Sequence, residues 1–364
     1  MDEKINLILL YGGRSTEHEI SCRSAAFVVK NHDPSKYNLK TIAISKDGRF
    51  LPQDPQNLIK GQFDVLPICE KGQYDDDTSK LFDLKEARPE GLGHVVFPLL
   101  HGTYGEDGCM QGFLELCDLA YIGCDPLGSA SSMDKVVTKE LVKAAQIPVV
   151  PSVWLRQEEW LAEKEKWLQR IADALRFPLF VKPANLGSSV GISKVEAFEG
   201  LGSALEEAFT FDEKVLVEVG LKVREIEFAA MGGHDPLISV GGESVAKTDF
   251  YDYAAKYEDE KASEVVVPAD ISQSLQEEGR RICKKVYQCL NLYGLARIDL
   301  FLTADDKYYL NEVNTMPGFT SISQFPLLWR HAGLSERDII DRLVESALKR
   351  ARVKRKLSRS FKNG

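Results

Sequence analysis

Four polar side chains near the C-terminal end of the sequence have the chemistry of a cation site: Arg297, Asp299, Glu312 and Asn314. Two carboxylates and an amide offer oxygen ligands, which suit a hard cation such as Mg²⁺ and leave coordination positions for water and phosphate. For each residue alone, a solvated sheet face with paired charges is the alternative interpretation. A plain core hairpin needs no such set of four, so the set indicates a charged functional site.

The elements that must position this set are two short apolar runs. Residues 295–302 and 308–313 flank the polar link 303–307, a pattern that predicts a β-hairpin with a slightly long loop. Alternate residues of a strand share one face. Arg297 and Asp299 are two positions apart, and so are Glu312 and Asn314. Pairing of the strands around the link therefore brings all four side chains to one face.

A glycine- and serine-rich loop follows a predicted strand in the middle of the chain. The strand covers residues 177–183 and the loop covers 184–191. The N–H groups around Ser188 and Ser189 can wrap an anion, and Lys182, just before the loop, can neutralise phosphate charge. The loop lacks the G-x-x-x-x-G-K pattern of a P-loop, and a flexible surface hairpin is the alternative. The apolar surroundings of Lys182 favour the anion site, because a buried lysine needs a partner.

Strand-to-helix turns indicate that the N-terminal third of the chain is an α/β unit. A strand over 5–11 ends in a Gly-Gly pair before a helix, and a strand over 94–100 ends at His101 before another helix. Ligands gather at such turns, although the G-x-G-x-x-G fingerprint of dinucleotide-binding proteins is missing. For His101, a capping or packing role is the alternative to a ligand contact.

The later part of the chain changes to strands joined as hairpins with helices before and after them, a pattern typical of α+β folds. One helix is predicted over 129–145, and further helices over 271–290 and 336–355. The polar, aromatic-rich stretch 248–257 suggests a loop that packs over a ligand as a lid. The fold class is therefore α/β and α+β, and the length suggests two or three domains.

Composition and charge argue against several classes of protein. The 364 residues carry a formal net charge of -9, which disfavours broad, nonspecific binding of nucleic acid. The seven cysteines include no C-x-x-C pair, so we expect reduced thiols and neither a disulfide framework nor a zinc site. Because no signal segment and no membrane-length apolar run is present, we expect a cytoplasmic protein. We interpret the basic stretch 349–362 as a solvated helix end.

Eight motifs occur in order along the chain: GGRSTEHEIS, HGTYGEDG, SMDK, FVKPANLGSSVG, LVEVGLKVREIE, YDYAAKY, ARIDLFL and LNEVNTMPGFTSIS. Together they resemble the motifs of bacterial D-alanine–D-alanine ligases in the ATP-grasp superfamily. The resemblance implies a three-domain ATP-grasp architecture with ATP between the last two domains. The implied domains are an N-terminal parallel α/β domain over 1–123, a central domain over 124–217 and a C-terminal domain over 218–364.

The resemblance also implies an activity, the ATP-dependent ligation of two D-alanines to D-alanyl-D-alanine for peptidoglycan synthesis. ATP would activate one carboxylate as an acyl phosphate, which the amine of the second D-alanine would attack. Two Mg²⁺ ions, replaceable by Mn²⁺, and a homodimer are implied, with no nucleic acid or membrane as partner. The alternatives are a D-alanine–D-lactate ligase, another ATP-grasp carboxylate–amine ligase and a nucleotide-binding module without catalysis.

Nucleotide and metal contacts are implied residue by residue. Asp299 and Glu312 would hold one Mg²⁺, and Glu312 and Asn314 the second. The ATP contacts would be Lys135 and Lys182 at the phosphates, Ser188 and Ser189 in the loop above them, Glu218, the backbone of Val219 and Phe301 at the adenine, Glu225 at the ribose, and Lys256 in the lid. Some family members have lysine at the position of Val219, so an adenine contact there uses the backbone.

The resemblance assigns the catalytic groups and the first amino-acid subsite as well. Glu17 would take the ammonium of the first D-alanine, with Ser188 and Tyr257 as hydrogen-bond support. Arg297 and the N–H of Gly318 would form the oxyanion site for the tetrahedral intermediate. These roles are implied by the family pattern and not by spacing alone.

Three further expectations concern the substrate subsites. His101 would lie near the first subsite, and Ser323 would receive the carboxylate of the second D-alanine. Gln324 stands where apolar residues are common, so the second subsite is expected to be slightly more polar. Tyr257 of the lid accompanies dipeptide products in the family, whereas relatives that make the D-lactate ester lack it, so the dipeptide is favoured.

Overall fold

The computed structural model describes residues 4–68, 93–188, 190–246 and 263–358. Within these ranges the chain forms three β-sheets with helices around them. The predicted fold class, α/β and α+β with a parallel sheet at the N-terminal end, is confirmed. None of the helices in these ranges is long and apolar enough to cross a membrane.

The first sheet is built from Ile5–Gly12 (β1), Tyr37–Ile44 (β2), Phe50–Gln53 (β3), His94–Pro98 (β4) and Ala120–Tyr121 (β5). Its order is β3-β2-β1-β4-β5. β1 pairs in parallel with β2 and β4, and β4 with β5, whereas β3 is antiparallel. The accompanying helices are His18–Asn31 (α1), Pro55–Gly61 (α2) and Cys109–Leu116 (α3). α1 is the crossover that parallel pairing of β1 and β2 requires.

Two short helices, Pro126–Met133 (α4) and Lys135–Ala144 (α5), replace the single helix predicted over 129–145. The single-helix prediction is wrong because Asp134 has an extended backbone conformation between them. Its carboxylate caps α5 by accepting two backbone N–H groups, each at 3.0 Å. The break makes Lys135 the first residue of a new helix.

The second sheet is antiparallel and consists of Ser152–Arg156 (β6), Leu179–Pro183 (β7), Ser193–Val195 (β8) and Lys214–Val219 (β9), in the order β6-β9-β7-β8. The helices Gln157–Ala162 (α6), Lys164–Ala174 (α7) and Leu201–Ala208 (α8) share its main core, whose members among the described residues lie between 153 and 219. β9 runs through the predicted domain boundary between residues 217 and 218. We therefore propose that this boundary lies after Val219.

The third sheet consists of Val223–Gly232 (β10), Leu237–Ala246 (β11), Ser263–Val266 (β12), Gly294–Thr303 (β13) and Tyr308–Asn314 (β14), in the order β12-β11-β10-β13-β14. All of its strand pairs are antiparallel. The helices of this part are Gln273–Cys289 (α9), Gln324–His331 (α10) and Glu336–Arg355 (α11). α9 contributes to the core of this sheet.

Strands β13 and β14 form the predicted hairpin, and one β-bulge interrupts their register. Asp299 lies opposite Glu312, but the next residue, Leu300, lies opposite Leu310. Asn311 is therefore an extra residue in β14. Because strand residues alternate between faces, the extra residue lets Leu310 face the core while Glu312 joins Asp299 on the opposite face.

The first sheet and the C-terminal helices share one hydrophobic core. Leu9 of β1 and Phe97 of β4 belong to the same buried cluster as Phe325 of α10 and Leu343 of α11. α11 also contacts β4 and β5 directly. One face of the N-terminal sheet is thus covered jointly by α1 and by the last part of the described chain.

Candidate active site

A compact polar cluster surrounds Asp299 on the outer face of the hairpin. Arg297 donates to both carboxylate oxygens of Asp299, with Nε–Oδ1 at 2.8 Å and Nη2–Oδ2 at 2.7 Å. Asn314 Nδ2 donates to Oδ2 of the same carboxylate at 3.0 Å. Asp299 is only 5% exposed, so this ion pair is buried. The fold therefore brings three of the four predicted side chains into direct contact and places Glu312 opposite Asp299.

A carboxylate that the sequence analysis missed joins this cluster from β10. Glu227 lies opposite Asp299 in the register of β10 and β13, and its Oε2 is 3.0 Å from Nε of Arg297. Burial opposes the charge of Arg297, but the carboxylates of Asp299 and Glu227 raise the pKa of the guanidinium well above its ordinary value. In the sequence, Glu227 is two positions after Glu225, so both side chains lie on one face of a strand. This spacing could have identified Glu227 as a site residue.

The side chains on this face fit a hard cation by their chemistry, but they do not form a ready-made ligand shell. The carboxylates of Glu227, Asp299 and Glu312 offer oxygen ligands, with the Arg297 guanidinium and the Lys135 ammonium as the neighbouring cations. Both oxygens of Asp299 accept hydrogen bonds from Arg297, and among the described residues no three acidic, histidine or cysteine side chains converge on one point. Each oxygen of an ionised carboxylate has two lone pairs, so Asp299, with three hydrogen bonds accepted, keeps a position for a cation. The metal roles of Asp299, Glu312 and Asn314 stay predictions.

A buried carboxylate between two lysines lies beside the second sheet. Lys182 Nζ is 2.6 Å from Glu218 Oε2, and Lys139 of α5 pairs with the other oxygen. Burial alone would raise the pKa of Glu218, but the ammonium groups of Lys182 and Lys139 outweigh it and lower the pKa to about 2. The prediction that Lys182 needs a partner is confirmed. The partner is the residue predicted to contact adenine.

Helix α5 presents two lysines toward the region between the sheets. Lys135 Nζ donates to the carbonyl of Leu186 in the Gly/Ser loop at 2.5 Å, and it is 3.9 Å from Glu312 Oε2. Lys135 thus reaches both the loop and the hairpin, where the triphosphate is predicted to lie. Lys139 was missed, although its spacing of four from Lys135 places both on one helix face.

The Gly/Ser loop contacts the N-terminal part of the protein through a hydrogen bond. Ser188 has a φ of 55°, and its hydroxyl donates to the carboxylate of Glu17, which precedes α1. The contact expected between these two residues is therefore present. Ser189, Lys256 and Tyr257 lie outside the described residues.

His101 is buried near Glu17, and both of its ring nitrogens are bonded to protein groups. Nδ1 is 2.7 Å from the carbonyl oxygen of Met316, and Nε2 is 2.9 Å from Oγ of Ser24. Burial lowers the pKa of the ring, although the charge of Glu17 acts in the opposite direction. The geometry favours the packing alternative for the His101 side chain.

The loop after β14 brings Gly318 against Ser323. A Cβ at position 318 would lie 2.9 Å from Ser323 Oγ, so a side chain there would displace the serine. Ser323 Oγ is also 2.7 Å from Thr320 Oγ1. Gln324 is buried at the start of α10, where its Oε1 would lie 3.4 Å from a Cβ built on Gly242 of β11. The substrate contacts of Ser323 and Gln324 stay predictions.

The predicted adenine and ribose contacts lie on the second and third sheets. Val219 ends β9, and its N–H donates to the carbonyl of Pro151 at 3.1 Å. Glu225 lies opposite Phe301 in the register of β10 and β13. Phe301 is two positions from Asp299 and shares its strand face. Glu225 is exposed, which is compatible with a ligand contact that stays a prediction.

Comparison with known proteins decides which family these features belong to. The family model described as D-ala D-ala ligase N-terminus matches residues 6–124, and that described as D-ala D-ala ligase C-terminus matches residues 141–345. The chain belongs to the D-alanine–D-alanine ligase family. The D-alanine–D-alanine ligase A of Escherichia coli strain K12 is 40% identical over 358 residues, 96% of this chain and 97% of the relative. The D-alanine–D-alanine ligase of Enterococcus faecalis is 41% identical over 354 residues, 95% and 99% of the two chains.

Solved structures of D-alanine–D-alanine ligase relatives match the whole architecture. The D-alanine–D-alanine ligase from Coxiella burnetii superposes with a TM-score of 0.81 at 33% identity and covers 97% of each chain. The VanG D-Ala:D-Ser ligase from Enterococcus faecalis superposes with a TM-score of 0.80 at 31% identity, covering 94% of this chain and 99% of VanG. The predicted ATP-grasp fold is confirmed, and the chain is an ATP-dependent ligase of the D-alanine–D-alanine ligase family.

Proposed function

We propose that this protein joins two D-alanine molecules to D-alanyl-D-alanine at the expense of ATP, as a step in peptidoglycan precursor synthesis. The observation that carries the proposal is the position of Lys135, whose ammonium reaches both the Gly/Ser loop and Glu312 of the hairpin. A phosphate chain bound there would lie between a loop rich in N–H donors and a carboxylate face. The names of the Escherichia coli and Enterococcus faecalis relatives support the same activity.

In the first step, the carboxylate of one D-alanine attacks the γ-phosphorus of ATP, which gives an acyl phosphate and ADP. Phosphoryl transfer depends on positioning and charge neutralisation more than on covalent help. Lys135 and Lys182 would supply that neutralisation. Because Lys182 is paired with Glu218, the phosphates would compete with Glu218 for its ammonium, while Lys139 continues to neutralise Glu218.

In the second step, the deprotonated amine of the second D-alanine attacks the acyl carbon, and the tetrahedral intermediate collapses with loss of phosphate. Arg297 and the N–H of Gly318 would stabilise the developing oxyanion. Glu17, oriented by Ser188, would hold the ammonium of the first D-alanine. Ser323 would receive the carboxylate of the second.

Mg²⁺, when bound, supplies charge neutralisation at the transferring phosphoryl group. Asp299, Glu312 and Asn314 would hold two such ions, which Mn²⁺ can replace. Glu227 also pairs with the Arg297 guanidinium, so a metal ion at Asp299 would not leave that guanidinium without a carboxylate partner. The homodimer and the cytoplasmic location implied by the resemblance stay predictions.

The activity is tested by mixing the purified protein with ATP, Mg²⁺ and D-alanine. We expect phosphate and D-alanyl-D-alanine in equal amounts, measured by a colorimetric phosphate assay and mass spectrometry. D-Serine and D-lactate, offered with D-alanine, test the second subsite, since VanG is named as a D-Ala:D-Ser ligase. A preferred ester or D-alanyl-D-serine product would reassign the second substrate, and ATP binding without any product would indicate a noncatalytic module.

Two variants of the β13–β14 hairpin test whether the ligase activity depends on Asp299. Asp299→Asn should abolish most turnover at ordinary Mg²⁺ concentrations, because a charged group of the predicted metal face is lost. Asp305→Asn is the matched control, since Asp305 lies in the exposed link of the same hairpin and pairs with Lys307. Near-normal kcat in Asp299→Asn would remove Asp299 from the metal site.

A further inference from the structure

The backbone of Met316, in the loop after β14, is held on both sides by the N-terminal part of the protein. Its N–H donates to Glu106 Oε1 at 2.9 Å, and its carbonyl accepts from His101 Nδ1 at 2.7 Å. His101 and Glu106 both belong to the loop between β4 and α3. Glu106 Oε2 accepts the N–H of Gly102 at 2.8 Å, which ties the carboxylate to its own loop.

Ser24 of α1 anchors Phe319 of the same segment by a further hydrogen bond. The N–H of Phe319 donates to Ser24 Oγ at 3.2 Å, and Ser24 Oγ is 2.9 Å from His101 Nε2. A carbonyl only accepts hydrogen bonds, so Nδ1 of His101 carries the proton toward Met316 and Nε2 accepts from the Ser24 hydroxyl. The neutral ring therefore satisfies every group in this chain of hydrogen bonds, in keeping with the lowered pKa of His101.

The aromatic ring of Phe319 adds an apolar anchor to the same segment. Phe319 is fully buried, and its ring centroid lies 5.7 Å from that of Phe27 and 5.5 Å from that of Phe97, both in edge-on geometry. Phe27 belongs to α1 and Phe97 to β4. Such pairs contribute about 0.5–1.5 kcal/mol beyond area burial. The segment from Met316 to Phe319 is thus seated on the N-terminal part.

Glu106 acts in this arrangement through its acceptor oxygens. Burial and the charge of Glu17 raise the pKa of Glu106 above its ordinary value, while the N–H groups of Gly102 and Met316, which donate one to each oxygen, favour the ionised form. The side chain is positioned by hydrogen bonds from both loops, and the donors are two uncharged backbone N–H groups, those of Gly102 and Met316. Replacement by glutamine keeps its size but leaves one of the two N–H groups facing an amide nitrogen that cannot accept.

We propose that Ser24, His101 and Glu106 are positioning residues that fix the Gly318 N–H in register with Arg297, so that the N-terminal part sets the geometry of the oxyanion site. Gly318 lies between the two anchored residues, Met316 and Phe319. A group that stabilises only the transition state loses its effect when it is displaced by about 1 Å. The inference rests on the proposed function for the role of Gly318. The contacts that anchor Met316 and Phe319 do not depend on that function.

The kinetic test compares Glu106→Gln and Ser24→Ala with Asp107→Asn. Asp107 is the matched control because its carboxylate accepts the N–H groups of Tyr104 and Cys109, which are close to it in sequence and outside the segment after β14. We expect kcat to fall about 10- to 100-fold in the first two variants, with the KM for ATP within about twofold of the parent. The affinity for a phosphinate dipeptide that mimics the tetrahedral intermediate should fall by the same factor as kcat/KM.

Two outcomes would overturn the proposal. If Glu106→Gln and Ser24→Ala bind the phosphinate mimic as tightly as the parent does, the residues do not act on the oxyanion site. If kcat falls only in proportion to the fraction of unfolded protein, measured by circular dichroism, the role is merely structural.

A second measurement separates this inference from the proposed function. Amide hydrogen exchange across residues 315–320 of the unligated protein should accelerate in Glu106→Gln and Ser24→Ala but not in Asp107→Asn. If exchange accelerates in the variants but the parent protein makes no dipeptide, the anchoring of this segment is supported and the proposed function is rejected. If the variants are active ligases and their amide exchange is unchanged, Ser24 and Glu106 do not anchor this segment.

Discussion

Two lysines share one buried carboxylate at Glu218, and this redundancy has consequences for ligand binding. Removing one partner of an isolated buried ion pair costs about 3–5 kcal/mol, because the other charge is left unpaired. Here Glu218 keeps Lys139 when Lys182 leaves, and the reverse also holds. A phosphate group can therefore recruit Lys182 without exposing an unpaired charge.

Lys182→Ala should weaken ATP binding without unfolding the protein. A hydrogen bond to a charged group contributes about 1.5–3 kcal/mol, so the KM for ATP should rise roughly 10- to 100-fold. Lys194→Ala is the matched control, since Lys194 lies on the neighbouring strand and pairs with exposed Glu196. Steady-state kinetics with varied ATP provides the measurement, and an unchanged KM would place Lys182 outside the phosphate site.

The same carboxylate should control stability in acid. The pKa of Glu218 is about 2 in the folded protein against an ordinary 4.5, so its ionised form stabilises the fold above about pH 4.5 and this contribution is lost as the pH falls toward 2. The contribution amounts to roughly 3 kcal/mol. Glu218→Gln should be less stable at neutral pH and should lose less stability between pH 5 and 2.5 than exposed Glu213→Gln. Parallel curves of Tm against pH for the two variants would contradict the assignment.

At the scale of single elements, the β-bulge in β14 determines which face Glu312 occupies. Strict alternation from Tyr308 and Leu310, both buried, would point Glu312 into the core. The extra residue Asn311 reverses the phase, so Val313 is buried next and Glu312 joins the polar face. Bulges often redirect a side chain next to an active site.

Removing either Asn311 or Glu312 should leave a regular strand, but with different side chains opposite Asp299. Without Asn311, Glu312 follows Leu310 directly and still faces away from the core, so we expect ligase activity to be retained, although reduced by the change in local twist. Without Glu312, Asn311 takes its place opposite Asp299, and we expect activity to fall below detection because a carboxylate of the predicted metal face is lost. Steady-state kinetics of the two deletion variants provides the measurement, and equal loss of activity in both would contradict the assigned position of Glu312.

In the whole molecule, the three sheets differ in how far their cores are independent. In the part of the chain that the structure describes, the main core of the second sheet is formed by residues between 153 and 219. The core of the first sheet includes side chains of α10 and α11 from the far end of the described chain. The second sheet therefore meets the requirement for an autonomous domain, a core of its own, whereas the first does not.

Fragments should reproduce this difference. Residues 150–222, expressed alone, should unfold cooperatively on heating and give a dispersed amide spectrum by nuclear magnetic resonance. Residues 4–124 leave an apolar sheet face uncovered and should aggregate or remain without cooperative unfolding. A soluble, cooperatively folded 4–124 fragment would show that α10 and α11 are not needed to complete that core.

The sequence contains enough information for most elements but not for several contacts between them. Continuous apolar runs predicted the strands well. Alternation placed Arg297 with Asp299 and Glu312 with Asn314, but the bulge at Asn311 is what puts the two pairs on one face. Lys139 and Glu227 were not predicted as site residues because their partners are distant in sequence and meet them only in the fold. The break at Asp134 and the bulge at Asn311 are local departures from periodic patterns, which periodicity alone does not predict.

The shared core of the first sheet and the C-terminal helices has a consequence for synthesis on the ribosome. β5 completes the first sheet, and α10, which helps to cover it, is made about 200 residues later, a delay of roughly 10–40 seconds at ~5–20 residues per second. The central sheet can fold during that interval, but the first strands made must wait for the last helices. The nascent N-terminal sheet is therefore the part of this enzyme that we expect to depend most on chaperones.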